Sequence, residues 1–203
     1  RGDAGGVRVI VTQSNHLPWR GWFAMLAQVD AWVVLDSVQF TRRDWRSRNR
    51  IRTANGVAWL SVPVADAGRH PVDAARIADA RWAEAHVAKL RAAYRHAPCA
   101  ATELPWLANL LRSVAGEPML SAVNLVLTQA LAARLGVARP VLRDVALLPR
   151  AALAAMDASE RLAALAAATG ATRYLTGSAA RAYLDPLPFA RRGIMVEWMD
   201  YGG

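Results

Sequence analysis

The sequence predicts an α/β fold: a mostly parallel, Rossmann-like sheet with flanking helices, a β-hairpin insertion and a central helical section. Three observations predict it. Short β-branched runs alternate with helical periodicity at both ends of the chain. Asn55-Gly56 separates two strand-like runs, and helical spacing dominates from Arg81 to Leu135. Residues 1–6 read as a flexible N-terminus and 7–203 as a single domain, since 203 residues with 54% hydrophobic content suffice for one sizeable core.

Val7 to Val11, β-branched but for Arg8, is a run suited to a buried parallel strand, followed by a polar turn from Gln13 to His16. Trp22, Phe23, Met25, Leu26 and Val29 recur at helical spacing, and Ala31 to Leu35 is a second buried strand, completing a βαβ unit. Arg48–Thr53 and Val57–Val62 flank Asn55-Gly56, both of which tolerate the positive φ of a type I′ hairpin turn. Between Arg81 and Arg95, Trp82, His86, Leu90 and Tyr94 form one helical stripe, with Glu84 and Arg91 opposite.

Further helices are predicted at Leu104–Val114 and at Leu120–Leu135, the second closed by Gly136, and a short strand at Val141–Leu147. Ser159–Thr169 is a helix stopped by Gly170. Arg173-Tyr174-Leu175 is a strand running into Thr176-Gly177-Ser178-Ala179-Ala180, and Gly193 to Trp198 is the last strand.

The one cysteine, Cys99, excludes an intramolecular disulfide and a cysteine metal cage, as suits a reducing compartment. The start of the sequence carries no apolar signal stretch, and no run approaches the ~20 apolar residues that span a bilayer. The expectation is a cytoplasmic protein without membrane association. Net charge is +9 and almost wholly arginine, Lys89 being the only lysine, so an anionic partner is favoured.

Two segments concentrate groups that carry chemistry. Gln13, Asn15, His16 and Trp19 follow the first strand, at the carboxyl edge where open α/β sheets bind ligands. After the second strand come Asp36, Gln39, Arg42, Arg43, Arg48 and Asn49, and the planar guanidinium forks suit phosphate or carboxylate. Because the two segments follow neighbouring strands, they are expected to meet in one crevice, with Gln13 and His16 on one lip and the arginines on the other. His16 and His86 are the candidate general bases, although a histidine on an apolar stripe equally suits a hydrogen-bonded core. His70 and His96 read as peripheral. Gly177 and Ser178 follow a strand at the start of a helical turn, which suits a phosphate or a plain N-cap by Ser178. No metal-ligand spacing is present, and the metal left open is Mg2+ carried with a bound diphosphate.

The run Gln13-Ser14-Asn15-His16-Leu17-Pro18-Trp19-Arg20-Gly21-Trp22-Phe23, then Asp36, Val38-Gln39-Phe40 and Arg48-Asn49-Arg50-Ile51, resembles the signature of the WbqC-like family. Trp59 to Val64, then Trp82, His86 and Tyr94 with Ala97-Pro98, and Tyr174 to Ala180 with Tyr183-Leu184-Asp185 extend the similarity to the end. His16 departs from the tyrosine more usual at its place, and the resemblance leads one to expect a further C-terminal tail beyond Gly203. The resemblance implies a bacterial biosynthetic transferase for O-antigen, lipopolysaccharide or another surface polysaccharide, or for secondary metabolites. Its substrate would be an anionic small molecule: a nucleotide sugar, a thioester or a charged carrier. Two other readings stand beside it: a nucleotidylyltransferase-like enzyme, by analogy of layout, and a basic module binding single-stranded nucleic acid through arginines interleaved with tryptophans.

Overall fold

The computed structural model describes residues 6–65 and 70–201. Apart from Gly6, the N-terminus expected to be flexible lies outside them. Seven strands are described: β1 (Arg8–Thr12), β2 (Ala31–Val34), β3 (Arg48–Thr53), β4 (Gly56–Ser61), β5 (Val141–Arg143), β6 (Arg173–Gly177) and β7 (Met195–Met199). The helices are α1 (Arg20–Leu26), α2 (Trp82–Tyr94), α3 (Ala100–Ser113), α4 (Leu120–Arg134), α5 (Asp144–Leu147), α6 (Arg150–Ala155), α7 (Ala158–Ala168) and α8 (Leu187–Ala190). None is long and apolar enough to cross a membrane.

The chain divides into two compact units: Arg1–Gln13, Trp19–Val38 and Ala132–Gly203 make the first, Ser14–Pro18 and Gln39–Leu131 the second. In the first, five strands pair in the order β5-β2-β1-β6-β7, each neighbour parallel. The order reverses direction between β1 and β6, the topological switch point of a doubly wound sheet. Val9, Ile10, Trp32, Val33, Leu165 and Phe189 are buried in this unit, as strands covered on both faces require. At the carboxyl end of β1, Thr12 Oγ1 accepts from Trp32 Nε1 at 2.9 Å and Trp22 Nε1 at 3.4 Å, satisfying two indole donors with one hydroxyl.

The second unit holds the antiparallel β3–β4 hairpin against α2, and α3 and α4 join the same core, around Phe40, Leu60, Trp82, Leu111, Leu120 and Leu127. The predicted stripe on α2 is present: Trp82, His86 and Leu90 are buried and Tyr94 is half-buried. The hairpin is present where the sequence predicts it, but its turn differs: Thr53 pairs with Gly56, so the two-residue loop is Ala54-Asn55 instead of Asn55-Gly56. Asn55 stays at negative φ, and Gly56 alone turns left-handed at φ 108°. The Thr53 hydroxyl donates to the Gly56 carbonyl at 3.0 Å and closes the loop that way.

Two boundaries also differ. The strand expected from Val141 to Leu147 stops at Arg143, because Asp144 opens α5 and its carboxylate accepts from the Ser37 and Val145 amides at 2.9 and 2.8 Å. Helix α3 begins at Ala100 rather than Leu104, so Pro105 lies inside it. Cys99 O receives the Glu103 amide at 2.9 Å, starting the helix upstream of the proline.

Candidate functional site

The second unit contains a buried imidazole pair. His16 is 0% exposed and His86 2% exposed, and their Nε2 atoms lie 3.0 Å apart. The first comes from the short turn at Ser14–Pro18 and the second from the inner face of α2; Trp82, one turn before His86, packs edge-on against both rings. The turn is fastened from below: the His16 amide donates to the Trp45 carbonyl at 2.8 Å, and Asn49 Nδ2 donates to the Leu17 carbonyl at 2.6 Å and the His16 carbonyl at 3.3 Å. These bonds hold Leu17 at φ 47°, a left-handed conformation that a branched side chain rarely adopts.

Hydrogen-bond bookkeeping fixes the tautomers. Asn124 Nδ2 donates to the Arg46 carbonyl at 2.8 Å, so its Oδ1 faces His16 Nδ1 at 3.3 Å, and that nitrogen must carry a hydrogen. At the other end of the pair, the backbone carbonyl of Trp82 favours a hydrogen on His86. An acceptor at each end and one bond between the rings call for three hydrogens, whereas two neutral imidazoles bring two. A third would complete the chain, but loss of water opposes the charge. Burial, then the His86 charge, pull His16 down to about 3 against the Asn124 bond that raises it. Burial likewise pulls His86 to about 4, partly offset by Trp82. Both rings are neutral at pH 7.

The same unit carries the arginine segment. Arg42, Arg43 and Arg48 line a pocket of about 280 Å³ with Phe40, Ser47, Ser61, Val62 and Val64. Arg43 sits at φ 54°. Asp44 is taken by Arg46 at 2.8 Å, and none of Arg42, Arg43 and Arg48 pairs with a carboxylate among the described residues. The backbone from Trp45 to Arg48 thus has two roles: its first two carbonyls bind His16 and Asn124, and Ser47 and Arg48 face the pocket.

A family model described as the WbqC-like protein family matches residues 13–203. The chain belongs to the WbqC-like family. It is also 36% identical over 200 residues to the uncharacterized protein Rv1507c of Mycobacterium tuberculosis, covering 97% of this chain and 83% of that protein. No solved structure matches it.

Of the sequence-predicted site residues, the structure brings His16, His86, Asn49, Arg42, Arg43 and Arg48 into the second unit. Gln39 and Tyr94 belong to it as well, Tyr94 accepting the Arg52 amide at 3.2 Å. Asn15 lies beside His16 with its Oδ1 buried and without a hydrogen-bond partner. Gln13, Trp19, Asp36, Gly177 and Ser178 fall in the first unit. There Asp36 is buried, and Trp19 is 52% exposed and packs on Tyr201 at 5.0 Å. The Trp19 ring lies so close to Gly21 that a Cβ there would meet it at 2.1 Å. Gly177, not Ser178, is the N-cap of the 3₁₀ turn Ser178–Ala182, and no side chain caps that turn. His16 is not an open lip residue, because its ring is enclosed in the second unit.

Sequence reasoning missed Asn124, the residue that orients His16. Its signal is a polar stripe inside an apolar helix: Ser121, Asn124 and Thr128 fall on one face of α4 at helical spacing, and all three are buried. Among the described residues, no group of three His, Cys, Asp or Glu side chains is placed to hold a metal ion.

Proposed function

We propose that this protein is a biosynthetic transferase that moves an acyl- or aminoacyl-type group onto an amine or hydroxyl of an activated sugar or small metabolite. Surface polysaccharide and secondary-metabolite assembly are the settings that the family resemblance implies. The observation that carries the reading is the Trp45–Arg48 segment, which joins an arginine pocket without carboxylate partners among the described residues to a neutral buried imidazole pair.

In this reading Arg42, Arg43 and Arg48 hold the anionic moiety of the substrate through forked, charge-assisted hydrogen bonds. The nucleophile attacks the acyl carbon, the new C–N or C–O bond forms, and the bond to the leaving group breaks. The nucleophile's proton passes to the imidazole pair, where it supplies the missing third hydrogen, and then goes to the leaving group. With values near 3 and 4 the pair holds that proton only in passing. The nucleophile approaches past Trp82, which lines an open pocket of about 510 Å³ with Ser61, Pro63, Asp79, Arg81 and Ala85. A magnesium ion would take its ligands from diphosphate oxygens.

A thermal-shift screen of nucleotide sugars, coenzyme A thioesters and charged carriers tests this. A ligand at a hundred times its Kd should stabilise the wild type by about 2.7 kcal/mol and Arg48→Ala much less. His86→Ala should keep the binding and lose turnover. A screen in which no compound stabilises the wild type rejects the reading.

A further inference from the structure

Strand alternation places Arg48, Arg50 and Arg52 on one face of the β3–β4 hairpin, and the register sets Arg50 opposite Trp59. Trp45, from the preceding loop, lies against Trp59 with ring centroids 5.9 Å apart and planes tilted by 36°. The Arg48 guanidinium carbon sits 4.0 Å above the Trp59 ring, and that of Arg50 is 5.4 Å from Trp45 and 5.7 Å from Trp59. Trp45 is 41% exposed and Trp59 37% exposed. Two large rings on an outer face, with two cations over them and, among the described residues, no carboxylate on Arg48 or Arg50, form an aromatic and positively charged platform.

Arg48 joins this platform to the arginine pocket: its guanidinium covers Trp59, and the same side chain lines the cavity with Arg42, Arg43, Ser47 and Ser61. Its Nε is buried without a hydrogen-bond partner. We infer that the hairpin platform and the arginine pocket form one site for a nucleoside 5′-diphosphate, with the base on the Trp45–Trp59 rings and the diphosphate among the guanidinium groups. Every base has a π-face for an exposed indole, and paired phosphate oxygens match the guanidinium fork. A bare phosphate or carboxylate would leave the rings unused. The three pocket arginines converge on one cavity, walled by the buried Phe40 and Val62, instead of marking a track along which a longer strand could run. The inference rests on the proposal that this pocket holds the anionic moiety of the substrate, and it gives that moiety a chemical class.

Calorimetric titration of the full chain with UDP, ADP and pyrophosphate, and with a short oligothymidylate at two salt concentrations, tests it. Both nucleotides should bind about 5- to 150-fold tighter than pyrophosphate, the increment of one stacked base. Trp59→Leu should erase that ratio and leave pyrophosphate binding in place, and Arg42→Ala should weaken all three ligands by about tenfold or more. Circular dichroism of each variant controls for folding, and Trp45→Leu gives an independent measure of the stacking increment. Nucleotides that bind no better than pyrophosphate, or a ratio unmoved by both tryptophan variants, overturn the nucleoside and leave the anion pocket standing. Binding of neither nucleotide nor pyrophosphate overturns the inference and counts against the pocket as well. An oligonucleotide that binds far tighter than either nucleotide, with affinity falling steeply as salt rises, replaces it with a nucleic-acid interface.

Discussion

His16 Nε2 and His86 Nε2 face each other at 3.0 Å in a site closed to water, so one ring must donate to the other. Asn124 obliges His16 to keep its hydrogen on Nδ1, which makes His16 Nε2 the acceptor and His86 Nε2 the donor in the neutral pair. The pair is then held in one proton arrangement, and its unfilled position lies on the far side of His86.

This pair should make the protein sensitive to acid. Both values are lowered in the folded state, so below about 6.5 the unfolded chain binds protons that the native protein refuses. Stability contributed by the neutral pair is complete above that pH and is lost as pH falls through about 4 for His86 and on to about 3 for His16, at up to about 1.4 kcal/mol per pH unit for each imidazole. Urea denaturation at pH 7.5, 6 and 5 measures it. His86→Phe should flatten the slope, and an equal slope in both proteins would show that the pair is not its source.

Asn124→Asp should move the titration of the pair upward. A carboxylate at His16 Nδ1 favours the protonated chain, and the first imidazole protonation should rise by about one unit or more. The same change removes the donor to the Arg46 carbonyl, so a stability loss of about 1–3 kcal/mol is expected. Imidazole proton resonances followed against pH, together with a melting curve, separate the two effects.

Arg43→Gly should trade binding for stability. At φ 54° an arginine is strained where glycine is not, and relief of that strain should raise stability by up to about 1 kcal/mol. Pyrophosphate affinity should fall in the same protein, because a guanidinium has left the pocket. A less stable variant would mean that Arg43 makes a native contact outweighing its backbone cost.

Thr12→Val tests the first unit by itself. The change conserves shape but removes the acceptor for Trp22 Nε1 and Trp32 Nε1 at the end of β1. The expected loss is about 1–3 kcal/mol, read from chemical denaturation with intrinsic fluorescence reporting the indoles.

By itself, the sequence determined whatever depends on local spacing. The apolar runs at β1 and β2 called for buried parallel strands, the stripe from Trp82 to Tyr94 required a helix with one inner face, and the paired runs around Asn55-Gly56 specified a hairpin. The order of the motifs specified the family. Even there, local propensity overreached: Asn55 can turn left-handed, but the Thr53 hydroxyl bond let Gly56 alone do so.

Only the tertiary structure decided which groups meet. His16 and His86 are separated by 70 positions, and Asn124 stands 108 beyond His16. No periodicity links the three, and their protonation follows from shared burial. The chain also passes Ser14–Pro18 to the second unit while Gln13 and Trp19 on either side stay in the first, which divides one sequence motif between two cores. A motif read along the chain registers adjacency of residues, whereas the acidity of an imidazole and the partner of a guanidinium are set by the atoms that packing brings within a few ångströms.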